Sequence, residues 1–189
     1  MARCLLLSLA ALGSALVLHG AYIPAKAQLA QVLLERAWHA ARLGAASPRA
    51  WPWADHTPVA RLLSEQHGVD LLVLSGAQGN TLAFAPGHVD GTSLPGAAGN
   101  AAVGGHRDTH FQFLQHVAVG EALVVQTRDG ERVAYRVVET AVVDEHDTRA
   151  LAQMPGRALT LITCWPFDAV VAGGPLRYVV RAVEADDAA

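Results

Sequence analysis

The chain has 189 residues, two cysteines, a formal net charge of -3 and an isoelectric point near 6.3. This charge balance, without any block of basic residues, argues against a nucleic-acid-binding face. After the hydrophobic N-terminus, the remaining length fits one domain that can bury a core without disulfides or a structural metal.

The N-terminal segment is uncharged from Cys4 to Ala25 and follows the single basic residue Arg3. A helix of about 20 apolar residues is long enough to cross about 30 Å of hydrocarbon. We therefore predict a membrane anchor over residues 1–27, with the rest of the chain outside the cytoplasm. Residues 25–27 (Ala-Lys-Ala) also match a small-x-small cleavage site, so a removable signal segment is the alternative.

Residues 28–57 are predicted to connect this segment to the main domain. The four-residue spacing of Leu29, Leu33, Ala37 and Ala41 predicts a helix over 28–43, and Gly44 is typical of a helix end. Two tryptophans follow in the segment 51–55, Trp-Pro-Trp-Ala-Asp. Because exposed tryptophan is unfavourable in water, we expect this arm to lie on the surface of the domain.

Residues 58–189 form the predicted main domain, which is mainly β. Short alternating segments separated by turn residues favour a barrel or sandwich over a doubly wound sheet. Residues 128–130 (Arg-Asp-Gly) predict a hairpin, and residues 86–96 predict a long irregular connection. Short helices are predicted at 111–116 and 148–154. The predicted strands are 59–63, 70–75, 101–104, 122–127, 132–143, 158–164 and 177–183.

Cys164 ends one of these predicted strands and is the only cysteine beyond the hydrophobic N-terminus. In an exported domain it has no intramolecular partner, because Cys4 lies in the leader. A leftover cysteine in that setting is a candidate reactive thiol. The alternative is a small buried hydrophobic residue, which is the commonest role of free cysteine.

Two other residues are expected to share a rim with this thiol. His106 follows the glycines that end the strand 101–104, and Arg177 opens the last strand. If the strands containing Cys164 and Arg177 form a hairpin, the two side chains meet at one rim. A thiol nucleophile needs a proton acceptor, which His106 can provide, and Arg177 can stabilise an oxyanion. Arg181 shares a face with Arg177 and is the alternative candidate for that role.

These residues carry a resemblance to a known family. Residues 160–164 (Thr-Leu-Ile-Thr-Cys) match the TLxTC signature of sortases, and 105–111 (Gly-His-Arg-Asp-Thr-His-Phe) resemble the family's histidine region. Arg177 lies where the family's arginine is expected. The segments 51–55 and 58–61 further resemble the proteobacterial, Gram-negative class of sortases.

The resemblance implies a closed eight-stranded β-barrel and a cysteine transpeptidase held at the cytoplasmic membrane. Cys164 would be the nucleophile, His106 the general acid and base, and Arg177 the clamp for substrate and oxyanion. The expected partner is an exported protein with an LPXTG-like C-terminal signal, cleaved after its threonine and passed to an amine. No cofactor or metal is predicted.

We also expect Ile162, Thr163 and Arg107 to contact the substrate, although alternation turns the Thr163 side chain away from Cys164. His110 is expected to hydrogen-bond a neighbouring loop. A zinc site combining Cys164 with histidines is an alternative, but the sequence lacks the spacing of paired cysteines or of HExxH. Two other functions remain open: a cysteine hydrolase or amidase of the cell envelope, and a non-catalytic exported β-domain.

Overall fold

The structure is a computed structural model that describes residues 2–171 and 173–185. It contains a long helix, α1 (Ala2–Arg42), a one-turn helix, α2 (Gly79–Leu82), and two 3-10 helices, Gln112–His116 and Thr148–Leu151. The eight strands are β1 (Pro58–Ser64), β2 (Val69–Ser75), β3 (Gly87–His88), β4 (Gly99–Gly104), β5 (Ala122–Thr127), β6 (Arg132–Asp144), β7 (Arg157–Trp165) and β8 (Leu176–Glu184).

The eight strands close into a barrel in the order β1-β2-β3-β4-β7-β8-β6-β5. Most neighbours are antiparallel, but β2 pairs with β3 and β4 pairs with β7 in parallel. The prediction of a closed, mainly β barrel is thus confirmed, and each predicted strand is present. Sequence reasoning missed β3, which has only two residues and lies inside the predicted irregular connection, and it missed α2.

The barrel interior is filled by alternate residues of the strands. In β1 every second residue is buried, and on β7 the inward side chains include Leu159 and Leu161. Because successive side chains of a strand point to opposite faces, Ile162 and Cys164 of the same strand lie on the outer face. Phe111 and Leu114, from the segment after β4, close the core at one end.

Helix α1 packs against the outside of the barrel through its C-terminal part. Leu34, Trp38 and Ala41 form a second apolar cluster with Leu72 and Leu74 of β2. The predicted helix over 28–43 is confirmed, but the observed helix continues through Pro24 without a boundary at residue 27. Over the described part of the chain, no helix meets the length and apolarity required of a membrane span.

The tryptophan arm is only partly buried. Trp51 packs edge-on to Phe84 and to His56, with ring centroids 5.1 and 5.5 Å apart, whereas Trp53 is 78% exposed. The main-chain bond from Ala54 N to the Trp51 carbonyl closes a turn that contains Pro52 and Trp53. The arm therefore covers the barrel with one tryptophan where two were expected.

His56 is the polar member of this aromatic cluster. It is 3% exposed, and neither ring nitrogen has a hydrogen-bond partner among the described residues. Burial lowers the pKa of His56, and the neighbouring Asp55 opposes this only in part. As the pH falls through about 6.5, His56 is protonated in the unfolded chain but stays neutral in the folded protein. This difference favours the unfolded chain, so the protein becomes less stable as the pH falls.

We predict that His56→Leu stabilises the protein, because it replaces an unsatisfied buried ring with an apolar side chain. The expected gain in the free energy of unfolding is about 1 kcal/mol at about pH 8 and larger at about pH 5. Thermal unfolding at the two pH values measures it. His146→Leu is the control, since that imidazole is exposed; a gain for His56→Leu that does not grow towards low pH contradicts the prediction.

Candidate active site

Cys164 is a free, half-buried thiol near the end of β7. Its Cα pairs with that of Arg177 on the antiparallel neighbour β8, so the two side chains share the outer face of the sheet. Arg181 pairs instead with Thr160, four residues along the strand and therefore about 13 Å from the thiol position. The register thus favours Arg177 over Arg181 as the neighbour of Cys164.

His106 lies two residues after the end of β4, the strand that pairs with β7 on the side opposite β8. The parallel register pairs Gly104 with Ile162, and it is extended by a bond from Gly105 N to the Ile162 carbonyl at 3.1 Å. If this register continued for two residues beyond the end of β4, His106 would be level with Cys164. Because parallel neighbours end at the same edge, both residues lie at one rim of the barrel, called the Cys164 rim below.

Gly105 is required by close packing immediately before this histidine. A Cβ at this position would lie 2.7 Å from Cδ2 of the Phe111 ring, which is fully buried. The glycine and the phenylalanine of the 105–111 motif therefore fit each other and fix the path of the chain on both sides of His106.

Thr163 also holds this loop. Its side chain is buried and donates a hydrogen bond from Oγ1 to the Gly105 carbonyl at 2.7 Å. Arg107 is buried as well, and its guanidinium bonds main-chain carbonyls of the segment after β7. Both side chains thus bond the protein's own backbone, and their predicted substrate-binding roles stay predictions. Ile162 is half-buried on the same face as Cys164.

Arg177 is held by one acidic residue that the sequence did not single out. Its Nη2 lies 2.6 Å from Oε2 of Glu145, and its Nη1 donates to the carbonyls of Gly174 and Leu176. Glu145 follows β6 and is distant in sequence, so no local pattern indicates the pair. The pair orients the guanidinium from one side and leaves its Nε without a bond among the described residues.

His110 lies near His106 in the same loop. Burial lowers the pKa of His110, the charge of His106 lowers it further, and a hydrogen bond to the Phe84 carbonyl acts in the opposite direction. This bond fits the expectation that His110 contacts a neighbouring loop. Within residues 2–171 and 173–185, no three His, Cys, Asp or Glu side chains are grouped to hold a metal ion.

An aromatic cluster supports the Cys164 rim from inside the barrel. The rings of Trp165 and Tyr178 stack at 5.6 Å, and Phe167 packs edge-on to Tyr178 at 5.3 Å. Phe167 and Tyr178 also pack against the barrel core. The residues that flank the thiol and the guanidinium are therefore fixed by apolar packing.

A groove of about 330 Å³ lies along the outer face of β6 and β8, and its lining includes the ion pair of Arg181 and Glu139. Its apolar floor is formed by Ala141, Val143 and Val179, and Val143 pairs with Arg177. A larger cavity of about 650 Å³ lies at the opposite rim, where Arg157 bridges Glu131 and Glu184. The smaller groove is the one next to the predicted residues, because Val143 pairs with Arg177 and Val179 pairs with Ile162.

Comparison with known proteins decides the family. A family model described as a sortase domain matches residues 64–185. The chain belongs to the sortase family. The matched residues contain the thiol, the imidazole and the guanidinium of the Cys164 rim.

Individual sortases are similar over the same region. Sortase D of Bacillus subtilis is 31% identical over 112 residues, which are 59% of this chain and 56% of that protein. The chain thus matches a little over half the length of that curated relative. Sortase A from Corynebacterium diphtheriae superimposes with a TM-score of 0.63 at 26% identity, over 83% of this chain and 84% of that one. A Clostridium perfringens sortase D5 transpeptidase gives a TM-score of 0.61 at 26% identity, over 69% and 80%.

Proposed function

We propose that this sortase is a cysteine transpeptidase that cleaves an LPXTG-like signal after its threonine and transfers the product to an amine. The observation that carries the proposal is the pairing of β7 with its two neighbours. On one side is β4, which leads to His106, and on the other is β8, whose Arg177 pairs with Cys164. Family membership and the similarity to a sortase D5 transpeptidase support it.

In the proposed reaction, the Cys164 thiolate attacks the threonine carbonyl and forms a tetrahedral oxyanion. Arg177 stabilises this charge, since a fixed cation beside the forming oxyanion acts more strongly in the transition state than in the ground state. Collapse of the intermediate breaks the peptide bond, and His106 donates a proton to the leaving amine. The product is a thioester on Cys164.

The second half of the reaction reverses the first with a different amine. His106 accepts a proton from the incoming amine, which attacks the thioester, and the thiolate leaves as the new amide forms. The groove floor formed by Ala141, Val143 and Val179 offers an apolar surface for the residues before the cleavage site. Ile162 borders this path and is a predicted substrate contact.

The test uses the full-length protein in detergent with a panel of LPXTG-like peptides and a small amine such as hydroxylamine. The expected products are the peptide–amine conjugate and, before amine is added, a protein–peptide thioester detected by mass spectrometry. Prior labelling with iodoacetamide should remove both. Release of free acid at the same rate with and without amine would favour the alternative, a cysteine hydrolase. Without product from any peptide, the proposal fails.

Arg177 gives a prediction that separates the two candidate arginines. Arg177→Gln is expected to lower kcat about 100-fold because it removes the cation that faces the oxyanion. Arg181→Gln is the comparison variant, since Arg181 is also ion-paired, to Glu139, on the same face of β8; it lines the proposed peptide groove, so its KM is expected to rise while its kcat stays near the native value. Steady-state kinetics with one peptide measure both. If Arg181→Gln lowers kcat more than Arg177→Gln, the assignment of the clamp is wrong.

The proposal includes the predicted anchor over residues 1–27 and the Gram-negative class. The uncharged run from Cys4 to Ala25 supports the anchor, which would place the catalytic domain outside the cytoplasm. Fractionation of cells that produce the full chain should recover it with the membranes, and removal of residues 1–27 should release it.

The proposed assignment to the Gram-negative class of sortases is based on the segments 51–55 and 58–61. The partner is an exported protein with a C-terminal sorting signal.

A further inference from the structure

Arg107 directly follows His106 and is buried at the Cys164 rim, with only 3% of its surface exposed. Its Nε contacts the exposed carboxylate of Asp108 at 3.1 Å. Its two terminal nitrogens donate to three main-chain carbonyls at 2.8 to 2.9 Å, those of Pro166, Ala169 and Val171. One buried side chain therefore joins the loop of the histidine to the chain that leaves the cysteine.

Apart from this side chain, the segment 166–171 is held at its start by Phe167, which packs against Tyr178 and the barrel core. Its internal main-chain bonding consists of one long contact, from Ala169 N to the Pro166 carbonyl at 3.4 Å. Val170 is fully exposed, and Val171 is 77% exposed. Exposed segments with few contacts open easily. Beyond Phe167, the bonds from the guanidinium to the Ala169 and Val171 carbonyls therefore hold the exposed part of this segment.

Arginine suits this position for geometrical reasons. Its planar guanidinium has five donors in a rigid fork and can bond several carbonyls at once, whereas lysine has a single ammonium centre. Bonds from a charged donor are stronger than those between neutral groups. Without the guanidinium, three main-chain carbonyls would lose their hydrogen-bond donor and a cavity would remain in its place. We expect the segment after Cys164 to shift relative to the His106 loop as a result.

We propose that Arg107 is a positioning residue for catalysis, which fixes His106 against Cys164 by clamping the segment 166–171. The inference rests on the proposed transpeptidase function. Proton transfer between an imidazole and the reacting groups depends steeply on distance, and a misplacement of about 1 Å can cost about 100-fold in rate. Peptide binding in the groove along β6 and β8 does not involve Arg107.

The first test compares full-length native protein with Arg107→Lys in the transfer assay. We expect kcat to fall about 10-fold to 100-fold, KM to change little, and the pH dependence of kcat to shift. Arg128→Lys is the matched control, because Arg128 also holds backbone, donating to the Pro58 carbonyl at 2.8 Å, but lies at the opposite end of the barrel. It should lose a similar amount of thermal stability and keep its kcat.

Two results would overturn the proposal: native kcat in Arg107→Lys, or equal losses of kcat in Arg107→Lys and Arg128→Lys. Failure of the proposed function itself is separate, since then the native protein forms no conjugate. If Arg107→Lys does not fold, the proposal is tested with a variant that carries a backbone ester in the segment 166–171. Replacing Val170 by its α-hydroxy acid keeps the side chain but weakens the Ala169 carbonyl as an acceptor, and a several-fold loss of kcat is expected. An unchanged kcat in the ester variant would refute the clamp.

Discussion

Cys164→Ala is expected to abolish transfer, lowering kcat/KM by at least about 10³-fold, because no other group in the proposed mechanism can form the acyl intermediate. The half-buried position at the end of β7 makes the change a small one for the fold. We expect the free energy of unfolding to stay within about 1 kcal/mol of the native value. Conjugate formation, thioester mass and thermal unfolding measure these effects.

Cys164→Ser provides the matched control for this prediction. It keeps the shape of the side chain but replaces a thiol, which is readily ionised, with a hydroxyl that is not. The serine variant should bind peptide with the native Kd and still fail to transfer it. Residual transfer at a substantial rate in Cys164→Ala would show that the thiol is a packed cysteine, as in the non-catalytic alternative.

His106→Gln is expected to lower kcat about 10² to 10⁴-fold, the range typical of a lost general acid and base. Glutamine keeps hydrogen-bonding capacity but cannot exchange a proton at neutral pH. The side chain of His106 is exposed, so we expect the variant to keep the native free energy of unfolding. Transfer kinetics across the pH range should show that the variant has lost the pH dependence that belongs to the imidazole.

The control for this variant is its neighbour. His110→Gln keeps a donor for the Phe84 carbonyl, so it should retain most of the activity. NMR titration gives a second readout: because the charge of His106 lowers the pKa of His110, the pKa of His110 should rise in His106→Gln. A greater loss of activity in His110→Gln than in His106→Gln would exchange the roles of the two histidines.

Strand positions followed from local patterns in the sequence. Alternation of apolar residues and the turn at 128–130 located each strand except β3, whose two residues are too few to show a period. Helix α1 shows the opposite problem. The sequence analysis divided the chain at residue 27, yet one helix continues through Pro24 and past that boundary to Arg42.

The individual contacts of the site depended on long-range pairing. Arg107 and Thr163 lie next to the predicted catalytic residues in sequence, which made them reasonable substrate contacts. In the barrel both side chains bond backbone about 60 residues away, as in the pair of Thr163 and Gly105 with a separation of 58. Glu145 was missed for the same reason, because its contact with Arg177 spans 32 residues.

By itself, the sequence determined the family and the mainly β fold, and it supplied the three residues that we propose for acyl transfer. Side-chain chemistry and strand periodicity are local properties, so they can be read from a single chain. The tertiary structure decided that β4 runs parallel to β7, that Arg177 rather than Arg181 faces Cys164, and that Arg107 holds backbone. These features depend on which distant segments pair and in which register, and barrel closure sets both.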